Sequence, residues 1–238
     1  MKKILLIINL FLLSFTTFSF NMSPDGFGKR FDGIGDYQEY TFKNNTGSTI
    51  RYRFKIHPGK EGKSMHKWIE FQPKYMTIKN GESKNLKLFA KAPTGTPVGD
   101  YNFYLGVESV TIPGVLNPKD GVISTGATVG INVSVEMLGW VGDLPAQLKL
   151  EKYNFYNKDN QVFFKGKVIN HTKKRFVRYM MEIIGAKGER ETVYGGVLPS
   201  KGIKEFNIPL PKFKKKSDIW KIEVRETLDR NLIQTIKL

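Results

Sequence analysis

Cysteine is absent from the 238 residues, which excludes a disulfide framework, a thiolate nucleophile and thiolate-bound zinc. Histidine is nearly absent: His57, His66 and His171 are all the chain holds for imidazole chemistry. His57 closes an alternating run on its polar phase, His66 sits in a polar loop and His171 in a turn, so each reads as solvated. Acidic residues are few, 22 against 38 Lys and Arg for a net charge of +16. They are scattered, without the facing pair that glycoside hydrolysis requires. Nucleophile elbow, phosphate loop, zinc-binding helix and calcium loop are missing too. No catalytic residue, metal ligand or cofactor is therefore assigned, and the expectation is a protein that is not an enzyme. With 40% hydrophobic and 13% aromatic residues the chain is equally unlike a disordered or collagen-like sequence.

Long apolar runs are confined to the amino terminus. Lys2 and Lys3 precede the stretch Ile4 to Leu13, broken only by Asn9, and Thr17 and Ser19 supply small residues at the −3 and −1 positions of a cleavage site. Basic start, apolar stretch and small residues describe a secretory leader spanning 1–19, cleaved near Ser19. The run is too short for the roughly 20 apolar residues that cross a bilayer. The mature chain is expected to be exported, without stable membrane insertion. Export and the lack of any recognition motif argue against a nucleic-acid partner despite the charge. That charge is uneven: residues 21–145 hold 15 Lys and Arg against 12 Asp and Glu, residues 146–238 hold 21 against 10. Runs such as Lys173-Lys174-Arg175 and Lys214-Lys215-Lys216 read as solvated loops, or as a surface for acidic partners or anionic lipid.

What the sequence has in quantity is period two. Ile50, Tyr52, Phe54 and Ile56 alternate with polar residues, as do Leu86, Leu88 and Ala90, and Tyr101, Phe103, Leu105 and Val107. Alternate side chains share one face of a strand, so these sets mark buried faces. Turn signals such as Asn44-Asn45-Thr46-Gly47 and Asn80-Gly81 recur about every ten residues, as in β-sandwiches. Around Gly139-Trp140-Val141-Gly142 the pattern breaks, then resumes through Val168, Phe176 to Ile184 and Trp220 to Val224. The fold class is all-β: a first immunoglobulin-like β-sandwich over 20–140, a hinge at 141–146 and a second sandwich in tandem over 147–238, each with about seven strands.

One segment stands out. From Ala127 to Met137 the odd positions are apolar and small or polar residues lie between them. A strand of this kind at a sheet edge can offer main-chain hydrogen bonds and alternating apolar side chains to a second polypeptide.

At this strand the sequence resembles the periplasmic chaperones of the chaperone–usher pilus pathway, as a divergent member. Gln38-Glu39-Tyr40-Thr41-Phe42-Lys43-Asn44-Asn45-Thr46 looks like the family's second strand and following turn. Trp68-Ile69-Glu70-Phe71-Gln72-Pro73 with Asn80-Gly81-Glu82-Ser83 looks like its central hairpin, and Gly99-Asp100-Tyr101-Asn102-Phe103 like the strand before its long loop. Val168-Ile169-Asn170-His171-Thr172 resembles a turn of the second domain, with His171 in place of proline. The resemblance implies an L-shaped arrangement of the two sandwiches and a periplasmic location. It implies capture of a pilus or fimbrial subunit by donation of the alternating strand through Val129, Ile131, Val133 and Val135, and delivery to an outer-membrane usher. It further implies two basic residues that hold the subunit's terminal carboxylate. Lys29 or Arg30 is the candidate for the first; at the second, Glu136 or Met137 stands where the family has lysine. The alternative reading is a secreted cell-surface or adhesive β-sandwich protein that binds an acidic polymer through its basic second half.

Overall fold

Proline decides where the strands of the first half change partners. The computed structural model describes residues 19–110, 130–227 and 230–238. Residues 1–18 of the expected leader and Val129 lie outside the described residues, while Ser19, the last residue of that leader, begins β1. In chain order the first half contains β1 (Ser19–Ser23), β2 (Gly28–Arg30), β3 (Asp36–Asn45), β4 (Ile50–Pro58), β5 (Ile69–Gln72), β6 (Tyr75–Ile78), β7 (Ser83–Ala90), β8 (Gly99–Val110) and β9 (Asn132–Val141). One sheet has the order β1-β3-β7-β5, the other β2-β9-β8-β4-β6. Pro24 separates β1 from β2 and Pro73 separates β5 from β6, and in both places the chain crosses to the other sheet. Lacking an N–H, each proline interrupts a ladder, and one long strand becomes two short ones. Among the described residues, nine strands thus stand where about seven were expected.

The second half is a sandwich of seven strands: β10 (Leu148–Lys158), β11 (Gln161–Asn170), β12 (Val177–Gly185), β13 (Arg190–Leu198), β14 (Ile203–Leu210), β15 (Ile219–Glu226) and β16 (Leu232–Lys237). Its sheets have the orders β10-β11-β14 and β13-β12-β15-β16, all pairs antiparallel, a connectivity of the immunoglobulin type. No α-helix occurs among the described residues. Two compact units result. Unit 1 runs to Pro93 and includes Tyr101–Leu138; unit 2 comprises Thr94–Asp100 and Gly139–Leu238.

The alternating sets point where period two says they should. Tyr40, Phe42, Tyr52, Phe54, Leu86, Leu88, Phe103, Leu105 and Val107 are buried, and the rings of Phe42 and Phe54 meet edge to face at 5.0 Å. In unit 2, Val162, Phe164 and Val168 pack with Tyr179, Met181, Ile183, Ile222 and Val224, and Phe164 stacks on Phe155 at 4.6 Å. Each fully buried side chain of this size contributes about 1.5–3 kcal/mol of transfer free energy.

β3 in unit 1 and β11 in unit 2 close with the same device. Asn44, fully buried, donates from Nδ2 to the carbonyls of Ser48 and Ile78 at 2.7 and 2.9 Å, while its Oδ1 accepts from the N–H of Thr46. Asn170 likewise donates to the carbonyls of Arg175 and Leu198 at 3.1 and 2.9 Å and accepts from the N–H of Thr172. Asn-x-Thr recurs because an amide at this corner satisfies loop carbonyls that would otherwise be buried unpaired. Gly139 to Pro145 is held within unit 2 by Trp140, whose ring lies 3.5 Å from the Arg175 guanidinium and 6.1 Å from the Phe176 ring. Arg175 is itself buried and paired with Glu226.

Candidate strand-docking edge

Three residues cannot cover ten. In the sheet β2-β9-β8-β4-β6, β9 has β8 on one side and only the three-residue β2 on the other. At about 3.3 Å per residue β2 spans roughly 10 Å of a strand about 33 Å long. The Leu138 N–H donates to the Phe27 carbonyl at 3.2 Å, which puts β2 beside the carboxyl-terminal part of β9. At the other end the Ser109 N–H donates to the Ile131 carbonyl at 2.7 Å and the Ile131 N–H to Ser109 Oγ at 2.7 Å. Ile131 therefore turns its main chain toward β8, and Leu138, an odd number of residues on, turns its N–H toward β2. Backbone direction alternates along an antiparallel strand, so Asn132 and Ser134 direct their N–H and C=O away from β8. Among the described residues no strand takes those groups.

The side chains of the same stretch alternate between the faces of the sheet. Met137 is fully buried and its sulfur lies 3.6 Å from the Tyr40 hydroxyl of the facing sheet, so the odd positions of β9 look into the sandwich. Toward the amino-terminal end that burial fades: Val135 and Ile131 are half-buried, and Val133 is 38% exposed. β1 and β2, joined by only Pro24 to Phe27, belong to opposite sheets, and the link from this crossing to β9 is the bond between Phe27 and Leu138. Among the described residues, then, the far half of β9 has no strand on its second side and carries an incompletely covered apolar face.

The basic candidates sit at the covered end. Lys29 and Arg30 are consecutive on β2 and so point to opposite faces. Lys29 Nζ donates to Asp36 Oδ1 and to the Tyr37 carbonyl, both at 3.0 Å. Arg30 makes a two-pronged pair with Asp32, Nε to Oδ1 at 2.8 Å and Nη2 to Oδ2 at 2.9 Å. Each cation already has a carboxylate from its own unit. Glu136 accepts from Asn102 Nδ2 at 2.7 Å, with Lys60 Nζ 4.0 Å away. Asn102 is buried, and its Oδ1 accepts the Lys60 N–H at 2.9 Å. Glu136 thus ties β9 to the loop after β4, while Met137 serves the core; neither offers a positive charge. On the neighbouring strands Glu108 receives hydrogen bonds from Arg53 and Lys55, and these hold its carboxyl below the ordinary range against the opposing effect of partial burial.

Alternation in the sequence located Val133 and Val135 but carried no signal for the shortness of β2, nor for the buried Asn102 behind Glu136. Of the histidines, His57 and His171 are exposed, and His66 Nδ1 shares a 2.7 Å hydrogen bond with Ser64 Oγ. Among the described residues no group of three His, Asp or Glu side chains could hold a metal ion, and no helix is long and apolar enough to cross a membrane.

No protein-family model matches this chain, and no curated protein matches it in sequence. Solved structures do resemble it. The E. coli chaperone DraB aligns over 93% of this chain and 98% of its own at 11% identity, with a TM-score of 0.46. The Pseudomonas aeruginosa CupB2 chaperone aligns over 92% and 100% at 14% identity, TM-score 0.44. The Salmonella enterica SafA pilin–SafB chaperone complex contributes a chain matched over 94% and 98% at 13% identity, TM-score 0.43.

Proposed function

We propose that this chain is a periplasmic chaperone of pilus assembly, which captures fimbrial subunits by lending them β9 and passes them to an outer-membrane usher. The observation that carries the proposal is the uncovered half of β9. A subunit lacking one strand of its own sandwich would pair along Asn132 and Ser134, meeting two N–H and two C=O groups, and would bury Ile131, Val133 and Val135 in its core. Main-chain bonds supply affinity and the alternate side chains supply selectivity. Burial of these side chains, worth up to about 1.5–3 kcal/mol each, drives the pairing, so no cofactor or nucleotide enters the scheme. In this reading Val129 extends the same apolar row. Lys29 or Arg30 holds the subunit's carboxylate by exchanging Asp36 or Asp32 for it.

Co-expression with a strand-deficient pilus subunit tests the proposal. The expected result is a one-to-one complex that keeps the subunit soluble. Ile131→Asp with Val133→Asp should weaken it at least about 100-fold, an equilibrium loss of about 2.7 kcal/mol, because two charges would enter an apolar seam. A folded double variant that retains the complex overturns the proposal. If neither Lys29→Ala nor Arg30→Ala weakens capture, the carboxylate assignment falls and the strand assignment stands.

A further inference from the structure

The antiparallel strands of unit 2 bring its loops to two ends. The chain enters at one, before Leu148. The other gathers the turn at Asp159 and Asn160, the turn around Lys187, the connection from β14 to β15 and the close of β16. The segment Pro211–Lys221 carries five lysines and one acidic residue, Asp218, and from the start of β13 Glu191 accepts the Lys212 N–H at 3.2 Å.

The basic segment is firmly built. Phe213 is buried in the core of unit 2, and its N–H donates to the Leu210 carbonyl at 3.1 Å. The Lys215 N–H is held by the Asp218 carboxylate at 3.0 Å, and the Asp218 N–H returns to the Lys215 carbonyl at 3.1 Å. Ala186 braces the turn from the next loop, donating its N–H to the Asp218 carbonyl at 3.0 Å. Lys214, Lys215 and Lys216 therefore stand exposed on a fixed turn, and the one acidic side chain of the segment is occupied in holding it. The turn leads directly into β15, whose second residue Trp220 pairs with Leu238, the Leu238 N–H donating to the Trp220 carbonyl at 2.9 Å. Their side chains are 48% and 50% exposed, and Lys221 Nζ lies 5.0 Å from the centre of the Trp220 ring.

Three ammonium groups next to an exposed indole and an exposed leucine suit a surface that is anionic outside and apolar just beneath. Lipid phosphates neutralise lysines, and the headgroup boundary favours the amphipathic indole. A hydrated acidic polysaccharide would answer the lysines and leave Leu238 in water. We infer that this end of unit 2 docks reversibly on an anionic phospholipid bilayer. Every residue involved lies outside unit 1, so the inference stands apart from strand capture.

The test is co-sedimentation of the purified protein with vesicles of about three parts phosphatidylcholine to one part phosphatidylglycerol. Binding is expected at low salt, with release near 1 M salt, where the screening length falls to about 3 Å, and none to phosphatidylcholine alone. Combined K214E, K215E and K216E changes should weaken binding at least about tenfold, and Trp220→Ala should weaken it a further few-fold. Combined K173E, K174E and K201E changes, at the opposite end, should leave it within about twofold. Failure to bind the anionic vesicles overturns the inference, as does equal binding by the first triple variant. Retention on an anionic polysaccharide alone, without vesicle binding, also overturns it.

Discussion

Two sheet edges, β9 in unit 1 and β13 in unit 2, carry exposed apolar side chains, and they are treated in opposite ways. β13 is interrupted where Tyr179 pairs with Gly196 and Met180 with Tyr194, leaving Gly195 bulged between them. The bulge is built into the packing: a Cβ on Gly195 would stand 2.1 Å from the Tyr179 ring, and Gly196 needs a φ of +76°. Lys204 Nζ then caps the bulged Gly195 carbonyl at 2.7 Å. Tyr194 is 71% exposed and Val197 38% exposed, yet a bulge and a lysine are the devices by which natural sheets refuse a further strand. β9 has Val133 as exposed as Val197, and along the half that β2 does not reach it has, among the described residues, no second paired strand and no such device. Exposed apolar residues alone do not distinguish a docking edge from a blocked one; the direction of the main chain does.

The sharpest way to test that distinction is to place proline at adjacent positions of β9. Val135→Pro removes an N–H directed at β8 and should destabilise the protein by about 3 kcal/mol in urea unfolding, because it breaks a native ladder. Ser134→Pro removes an N–H directed at the open side. It should leave the unfolding midpoint nearly unchanged while weakening subunit capture about tenfold, or about 1.4 kcal/mol. Equal effects of the two on stability would mean that β9 is paired on both sides.

The blocked edge offers a smaller effect. Lys204→Ala uncaps the Gly195 carbonyl and should cost about 1 kcal/mol of stability, with increased self-association by light scattering. The smallest is a dependence on pH, shared by both units. Glu223 in unit 2 has its carboxyl lowered chiefly by the Lys221 hydrogen bond, then by Arg225. Glu108 in unit 1 is lowered by Arg53 and Lys55. A carboxyl lowered in the folded state stabilises above its ordinary value near 4.5 and loses that contribution as pH falls through the lower folded value. Thermal melting between neutral pH and about pH 3 should therefore show falling stability, with a shallower slope for Glu223→Gln.

Much of the fold could be read from the chain because alternation is local. Tyr52, Phe54, Leu86, Leu88, Phe103 and Leu105 each declare a buried face within a few residues of neighbouring sequence, and each is buried. The Asn-x-Thr signal at Asn44 and Asn170 is local too, although their amides also reach the distant carbonyls of Ile78 and Leu198. Pro24 and Pro73 mark a break in the sequence without saying that the piece beyond it joins the other sheet. What Lys29 and Arg30 rest against was not legible either: their partners Asp36 and Asp32 are near in sequence, but only the turn after β2 brings carboxylate to cation.

Composition and period two by themselves determined an all-β chain of two sandwiches with a basic second half, since charge is additive and a strand's buried face is set by its own alternation. Tertiary structure alone decided that β2 stops after three residues beside Leu138, which side of Ser134 is open, and that the lysines of the Pro211–Lys221 segment share one end with Trp220 and Leu238. Each of these depends on which distant segments lie side by side, and hydrogen-bond pairing across a sheet leaves no mark in the residues next door.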